Sequence, residues 1–459
     1  MSQKPEIIFQ RKIADELKKW KRTSNGEKAL LIEGARRIGK SVIVEEFAKS
    51  EYKSYILIDF NTASEVIKDI FYKYLDDLDN FFMILSAFTG KTLYKRESLI
   101  IFDEIQKFPK AREAIKYLVL DGRYDYIETG SLISIKENVK NITVPSEERK
   151  ITMFPLDFEE FAWALGEKKL IEYIKKCYEK HIPLEKGLHD KAMFLFKQYM
   201  LVGGMPKPLC KFILEGKQFK QCDLEKRDIL SNYRDDIAKI DGKYKAKVLS
   251  IFDAIPGFLS SHEKRVKLNS IGVDSKYLLY SDTFFWLSDS MICNECFGCD
   301  DPNIGLILNE NRSSIKCYMG DTGLLVSHAF HEKELINLKI YDQILSGKLS
   351  INKGMLYENI IAQMLVANGH KLYFYTHYDE FSKKNDIEID FLLTNESKTN
   401  LKITPIEVKS SKNYSTDSFD KFSRRFSNRI GEKIIIHPKS FRVRDDGVIC
   451  LPAYMAFLL

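Results

Sequence analysis

The sequence predicts an α/β protein with a phosphate-binding N-terminal domain, a helical middle and a second α/β module at the C-terminus. Three observations carry this reading. Gly34-Ala-Arg-Arg-Ile-Gly39-Lys40-Ser41 fits the pattern GxxxxGK[ST] between an apolar strand and a helix. Leu99-Ile-Ile-Phe102 is a wholly apolar strand that ends in Asp103-Glu104. Near the C-terminus a helix bearing Glu358 is followed by strands bearing Asp390 and the triplet Glu407-Val-Lys409.

Composition bounds the rest. The 459 residues allow two to four domains at roughly 100–200 residues each. With 44% hydrophobic and 30% charged residues the chain can bury real cores, and its 23 Gly and 12 Pro are too few for collagen-like or long disordered stretches. Ile7 to Trp20 reads as a charged amphipathic helix without the apolar core of a signal peptide, and no run approaches the roughly 18–20 apolar residues that span a bilayer. A cytoplasmic chain with no membrane partner is expected. Eight cysteines are too sparse for a disulfide framework. Cys293, Cys296 and Cys299 form a CxxCxxC run whose thiolates could begin a zinc or iron–sulfur site. No second cysteine pair or His-x-x-His lies nearby, so idle buried thiols are the expectation.

Each element of the first domain has a physical reason. The strand Ala29–Glu33 delivers the chain into the glycine-rich loop, and a helix opens at Ser41. Gly34 and Gly39 let backbone N–H groups approach phosphate oxygens at that helix N-terminus, with Arg37 at the loop. Lys40 can reach the β- and γ-phosphates and the Ser41 hydroxyl can ligate Mg²⁺. ATP and Mg²⁺ are therefore the expected cofactors. Asp103 is placed to hold Mg²⁺, often through water, and Glu104 to polarise an attacking water; an ordinary strand with an acidic helix cap is the plainer alternative. Tyr55–Phe60 and Tyr124–Glu128 read as further buried strands, the second leading to Thr129-Gly130-Ser131, where Ser131 suits a contact to the γ-phosphate. Strands alternating with helices argue a parallel sheet.

GARRIGKS, LIIFDEIQ, YIETGSLIS and ERKITMFPLDFEEF, in this order, resemble the prokaryotic AAA-type ATPases that carry a C-terminal domain of unknown function. Tyr199–Leu209, Asn232–Lys239, Ile315–Leu325 and the stretch with Asp390 and Glu407–Lys409 extend the resemblance through most of the chain. It implies an ATPase core, a helical lid and a C-terminal module. It also implies an arginine supplied by a neighbouring subunit, for which Arg149 is the candidate, and hence allows a homo-oligomer; a surface charge or local ion pair is the other reading of Arg149.

The expected organisation is an ATPase core over 1–165, a helical lid over 166–240, a winged-helix-like module over 241–310 and a restriction-endonuclease-like domain over 311–459. In the lid, Gly203-Gly204-Met205-Pro206 reads as a tight turn, and Lys207 as a second phosphate sensor or a plain surface lysine. In the winged-helix segment, Val248–Ile255 is a first helix, Leu268–Val273 a second, Ser275–Ser288 the third, and Met291-Ile292 the start of a wing. The third helix carries Lys276 and Asp282 among aromatic residues, poor equipment for reading DNA. A coupler between domains fits it better.

In the last segment Glu358 lies on an amphipathic helix, Asp390 on a strand, and Glu407 and Lys409 share one face of the next strand because side chains alternate with period two. This order resembles the PD-(D/E)xK superfamily, which implies Mg²⁺ held by Glu358, Asp390 and Glu407 with Lys409 beside the attacked phosphate. Members of that fold also serve as binding modules without cleavage. Lys421, Arg424, Arg425 and Arg429 interleave with Phe422 and Phe426. From Lys398 to Asp446 twelve Lys and Arg face six Asp and Glu, an excess equal to the +6 of the whole chain. DNA or RNA bound through this basic region is the partner the sequence allows. The function expected is a Mg²⁺-dependent AAA-type ATPase coupled to a nuclease-like domain acting on nucleic acid; the alternative is a nucleotide-dependent switch or scaffold whose C-terminal domain binds without cutting.

Overall fold

A computed structural model describes residues 7–131, 146–240, 242–261, 263–266, 277–330, 334–346, 348, 353–381, 383–395 and 402–459. It divides into two compact units, Met1–Phe154 with Asp289–Met291, and Pro155–Ser288 with Ile292–Leu459.

The first unit is built on a five-stranded sheet. Strands β1 (Ala29–Gly34), β2 (Ser54–Asp59), β3 (Ser98–Asp103), β4 (Asp125–Gly130) and β5 (Glu148–Met153) run parallel in the order β2-β3-β4-β1-β5. Residues of β1, β3 and β4 are buried throughout, as expected of parallel strands covered on both faces. After α1 (Ile13–Ser24), helix α2 (Lys40–Glu51) buries Ile43, Val44, Phe47 and Ala48. Helices α3 (Glu65–Lys73), α4 (Leu78–Thr89) and α5 (Pro109–Asp121) close a core around Phe60, Phe71, Phe81, Phe102 and Phe108. Parallel pairing puts the carboxyl ends of β1, β3 and β4 at one edge: Ile32 is level with Thr129, Glu33 with Gly130, and Phe102 with Glu128.

In the second unit, helices α6 (Phe158–Ala164), α7 (Lys168–Glu179), α8 (Lys186–Val202), α9 (Pro206–Leu214), α10 (Phe219–Ile237), α11 (Gly242–Ser260), α12 (Tyr277–Asp289), α13 (Thr322–Ala329), α14 (Glu334–Leu345), α15 (Lys353–Ala367) and α16 (Asp417–Arg425) accompany an eight-stranded mixed sheet. Its strands are β6 (Cys293–Cys299), β7 (Glu310–Met319), β8 (Leu372–Asp379), β9 (Lys384–Asn395), β10 (Lys402–Val408), β11 (Lys433–His437), β12 (Arg442–Val443) and β13 (Val448–Pro452), in the order β12-β13-β11-β10-β9-β8-β6-β7. One face is a core of Phe297, Ile315, Tyr375, Ile389, Phe419 and Phe422. Helix α15 packs on β6, β7, β8 and β10 and is buried from Met355 to Leu365, which is why its sequence is apolar almost all round.

Two expectations about organisation change. The helices read as a lid pack on α13 and α15, inside the unit that also holds the C-terminal sheet. The strand β6, expected to open a wing, pairs with β7 and β8, so this sheet crosses the expected boundary at 310/311. The expected second helix at Leu268–Val273, together with Ser275 and Lys276, lies outside the described residues, as does the side chain of Asp282.

The Gly203-Gly204 turn has a tertiary cause. Gly203 adopts φ +83°, and a Cβ there would stand 2.2 Å from Asp321 Oδ1; a Cβ on Gly204 would stand 2.1 Å from the Leu156 carbonyl oxygen. The Gly204 N–H donates to Asp321 Oδ2 at 2.6 Å, and Gln363 on α15 accepts from the Thr322 N–H at 2.8 Å. Pro206 then begins α9 at a position where its missing N–H costs nothing. The LDFEE stretch is a capping box, Asp157 accepting from the Glu160 N–H and Glu160 from the Asp157 N–H.

Candidate functional site

The phosphate-loop residues lie together. Gly34 ends β1, Arg37 sits at φ +67° on the exposed apex of the loop, and Gly39 takes φ +93° just before α2. Such angles are open to glycine and strained for arginine. Lys40 is buried, its ammonium donating to the carbonyls of Gly34 at 3.0 Å and Ala35 at 2.8 Å. Burial lowers its pKa to about 8, against the pull of Glu104 and Asp103. Ser41 donates to Asp103 Oδ1 at 2.8 Å, and the Thr129 hydroxyl donates to the same oxygen. Glu104 follows β3 in the left-handed region at φ +55° and accepts from the Gln106 amide. Ser131 is buried just past β4.

Other residues were not legible in advance. Arg11, just before α1, donates to the Ile38 carbonyl at 3.1 Å and to the Phe154 carbonyl at 2.6 Å, bracing the loop; nothing in the local pattern distinguishes it from a solvated helix charge. Thr129, two residues before Ser131, donates its hydroxyl to Asp103 Oδ1, a contact within the protein that the strand pattern does not announce. Arg149 is exposed on the edge strand β5, level with Leu30 and four residues below Gly34, about 13 Å at the rise of a strand.

The C-terminal residues meet differently from the expectation. Lys316 follows the core residue Ile315 on β7 and so points to the other face of the sheet. There its fully buried ammonium lies 3.0 Å from Glu358 Oε1, 3.6 Å from Glu388 Oε1 and 3.7 Å from Asp390 Oδ1. Lys264 pairs with Glu358 Oε2, and the Tyr318 hydroxyl donates to Oε1. Burial alone would push the Glu358 carboxyl up; the two ammoniums outweigh it and hold the pKa at about 2. Asp390 accepts from the Val408 N–H at 2.8 Å, and burial raises its pKa to about 6. Glu407 stands in the ladder row of Ile435, a residue of the opposite core, and pairs with Lys409 at 2.5 Å. The expected convergence of Glu358, Asp390 and Glu407 on one cation takes another form: lysines stand beside Glu358 and Asp390, while Glu407, its pKa raised by burial and close enough to Asp390 for that carboxylate to add to the rise, pairs with Lys409. Among the described residues no group of three or more His, Cys, Asp or Glu is arranged to hold a metal. This includes the cysteine run: Cys299 lies in the core beside Phe297, whereas Cys296 is level with Lys316 on the other face.

Surface positions resolve into ion pairs. Lys207 pairs with Glu225 at 2.6 Å on neighbouring helices. On α16, Phe419 and Phe422 are buried, while Lys421 approaches Asp386 at 3.9 Å; beyond the helix Arg429 pairs with Asp301. Lys421 and Arg429 of the basic stretch thus each face a carboxylate of this same chain.

Residues 26–162 match the family model of the AAA domain. The parallel sheet, phosphate loop and Ser41–Asp103 contact of this segment are those of a P-loop ATPase fold. Residues 193–334 match a domain of unknown function (DUF8612), and residues 353–455 match another (DUF4143). No curated protein matches the chain. Among solved structures it is similar to the Walker-type ATPase PABY2304 of Pyrococcus abyssi, at 14% identity and TM-score 0.41 over 70% of this chain and 96% of that one. It is also similar to a signal transduction ATPase with numerous domains from Pyrococcus horikoshii, which has a tetratricopeptide repeat sensor. That likeness is at 13% identity and TM-score 0.27, over 79% of this chain and 49% of the other. A third is AMPPCP-bound DnaA from Aquifex aeolicus, at 11% identity and TM-score 0.26 over 62% and 85% of the two chains. Among the described residues no helix is long and apolar enough to cross a membrane.

Proposed function

We propose that the chain is a Mg²⁺-dependent ATPase whose nucleotide state governs a restriction-endonuclease-like C-terminal domain that engages nucleic acid. The observation that carries the ATPase half is the meeting of Ser41, Asp103 and Thr129 at one carboxylate oxygen beside the buried Lys40 ammonium. Magnesium would be held by Ser41 and Asp103, where it would offset triphosphate charge. In this reading Lys40 leaves the Gly34 and Ala35 carbonyls for phosphate oxygens, the loop N–H groups orient the phosphates, and Glu104 orients the attacking water. Thr129 keeps Asp103 aligned. Arg149, exposed on the edge strand β5 and four residues below Gly34, would act on a neighbouring copy.

For the C-terminal half, the lysines around Glu358 and Asp390 favour the reading in which the domain binds without cutting. The deciding experiment measures ATP hydrolysis and strand cleavage by the full chain with Mg²⁺, with and without single- and double-stranded DNA and RNA. Hydrolysis stimulated by nucleic acid, without cleavage, is expected. Hydrolysis indifferent to every nucleic acid would remove the nucleic-acid role, and Mg²⁺-dependent cleavage lost on Asp390→Ala would restore the nuclease.

A further inference from the structure

The cluster on β7, β9 and α15 is unusual in its charge order. A fully buried ammonium, Lys316, stands at the centre, and three carboxylates surround it at 3.0, 3.6 and 3.7 Å. The Phe374 ring lies 5.1 Å from the same nitrogen, and the Cys296 thiol is buried close by. The nearest carboxylate, Glu358, has both oxygens engaged, Oε1 by Lys316 and the Tyr318 hydroxyl, Oε2 by Lys264. Asp390 divides its oxygens between Lys316 and the Val408 N–H. Lys264 is the outer member: its side chain is 22% exposed and its backbone takes φ +51°, a strained angle for lysine. Strain persists where surrounding contacts over-determine it, and Lys264 is held both by its N–H donating to Ser261 Oγ at 3.2 Å and by the ion pair to Glu358.

We infer that Lys316, with Lys264 as its outer support, is the resident cation of this centre, and that the Glu358–Asp390 pair takes no divalent metal. The physical reason is competition. A Mg²⁺ or Mn²⁺ ion needs several oxygen ligands in fixed geometry, and here it would have to displace an ammonium that cannot reach water. Breaking a buried pair leaves an uncompensated charge, which is costlier than the pair is favourable. The metal requirement of the whole chain is then confined to the nucleotide site. This deepens the non-cleaving reading above.

The test is Mn²⁺ titration of the full chain without nucleotide, followed by the electron paramagnetic resonance of the free ion. Wild type should show no saturable site that depends on Asp390. Lys316→Met, which keeps the length and removes the charge, should bind Mn²⁺ at least about tenfold more tightly, and Asp390→Asn in that background should abolish the gain. Lys264→Met, at a partly exposed position, should show a smaller gain in the same direction and serves if Lys316→Met does not fold. Saturable Mn²⁺ uptake by wild type that is lost on Asp390→Asn overturns the assignment, as does the absence of any gain in both lysine variants. A wild type that takes up Mn²⁺ through Asp390 yet cuts no nucleic acid overturns the lysine assignment and leaves the non-cleaving reading standing.

Discussion

The Ser41 hydroxyl donates to Asp103 Oδ1 at 2.8 Å, joining the end of the phosphate loop to the end of a strand 62 residues later. Thr129 donates to the same oxygen from the adjacent strand. One carboxylate oxygen therefore orients two hydroxyls, one from the phosphate loop and one from the neighbouring strand.

Lys40→Ala removes the buried ammonium that donates to the Gly34 and Ala35 carbonyls of the loop. A charge-assisted contact of this kind is worth enough that ATP affinity should fall roughly 100-fold. Calorimetry of ATP binding measures it, and unchanged affinity would place the triphosphate elsewhere.

Glu104→Gln keeps the shape of the side chain and removes its basicity. ATP binding should persist while turnover falls by roughly 10²- to 10⁴-fold, read as trapped nucleotide in a filter-binding assay. Thr129→Val should lower turnover by about tenfold with little change in affinity, because it loosens Asp103 without touching phosphate.

Burial sets the Lys40 pKa at about 8, and triphosphate oxygens favour its charged form. Binding above pH 8 therefore takes up a proton. Affinity should be flat below about pH 7 and fall about tenfold per unit above pH 8 until the pKa of the complex is reached. Calorimetry at pH 7 and 9, in buffers of different ionisation enthalpy, reads both the loss and the proton.

Burial raises the Glu407 carboxyl to about 7, with Asp390 adding to the rise and Lys409 opposing it, and its Oε2 accepts no hydrogen bond among the described residues. The folded pKa lies above the ordinary value near 4.5. The stability this group permits is thus complete below pH 4.5 and lost as pH rises through 7. Glu407→Gln cannot ionise, so the difference in melting temperature between pH 5 and pH 8 should shrink by about 3–6 °C. Thermal melts of both proteins at the two pH values test this.

The sequence by itself determined the first domain's site. Gly34, Gly39, Lys40 and Ser41 are contiguous, so a strand, a glycine-rich loop and a helix N-terminus are specified locally, and the apolar run before Asp103 specifies the neighbouring strand. The helix with Glu358 and the strands with Asp390 and Glu407 were likewise legible from periodicity. Tertiary structure alone decided which charges meet. Lys264 and Lys316 lie 94 and 42 residues from Glu358, and no local pattern marks a lysine that will be buried between carboxylates. Period-two alternation predicts that Glu407 and Lys409 share a face, but not which face; pairing with Ile435 settled that. Gly203 and Gly204 looked like a turn and are also the place where no Cβ fits beside Asp321 and Leu156. Local conformation follows from near neighbours in the chain, whereas burial and charge pairing are set by the long-range register of strands and helices.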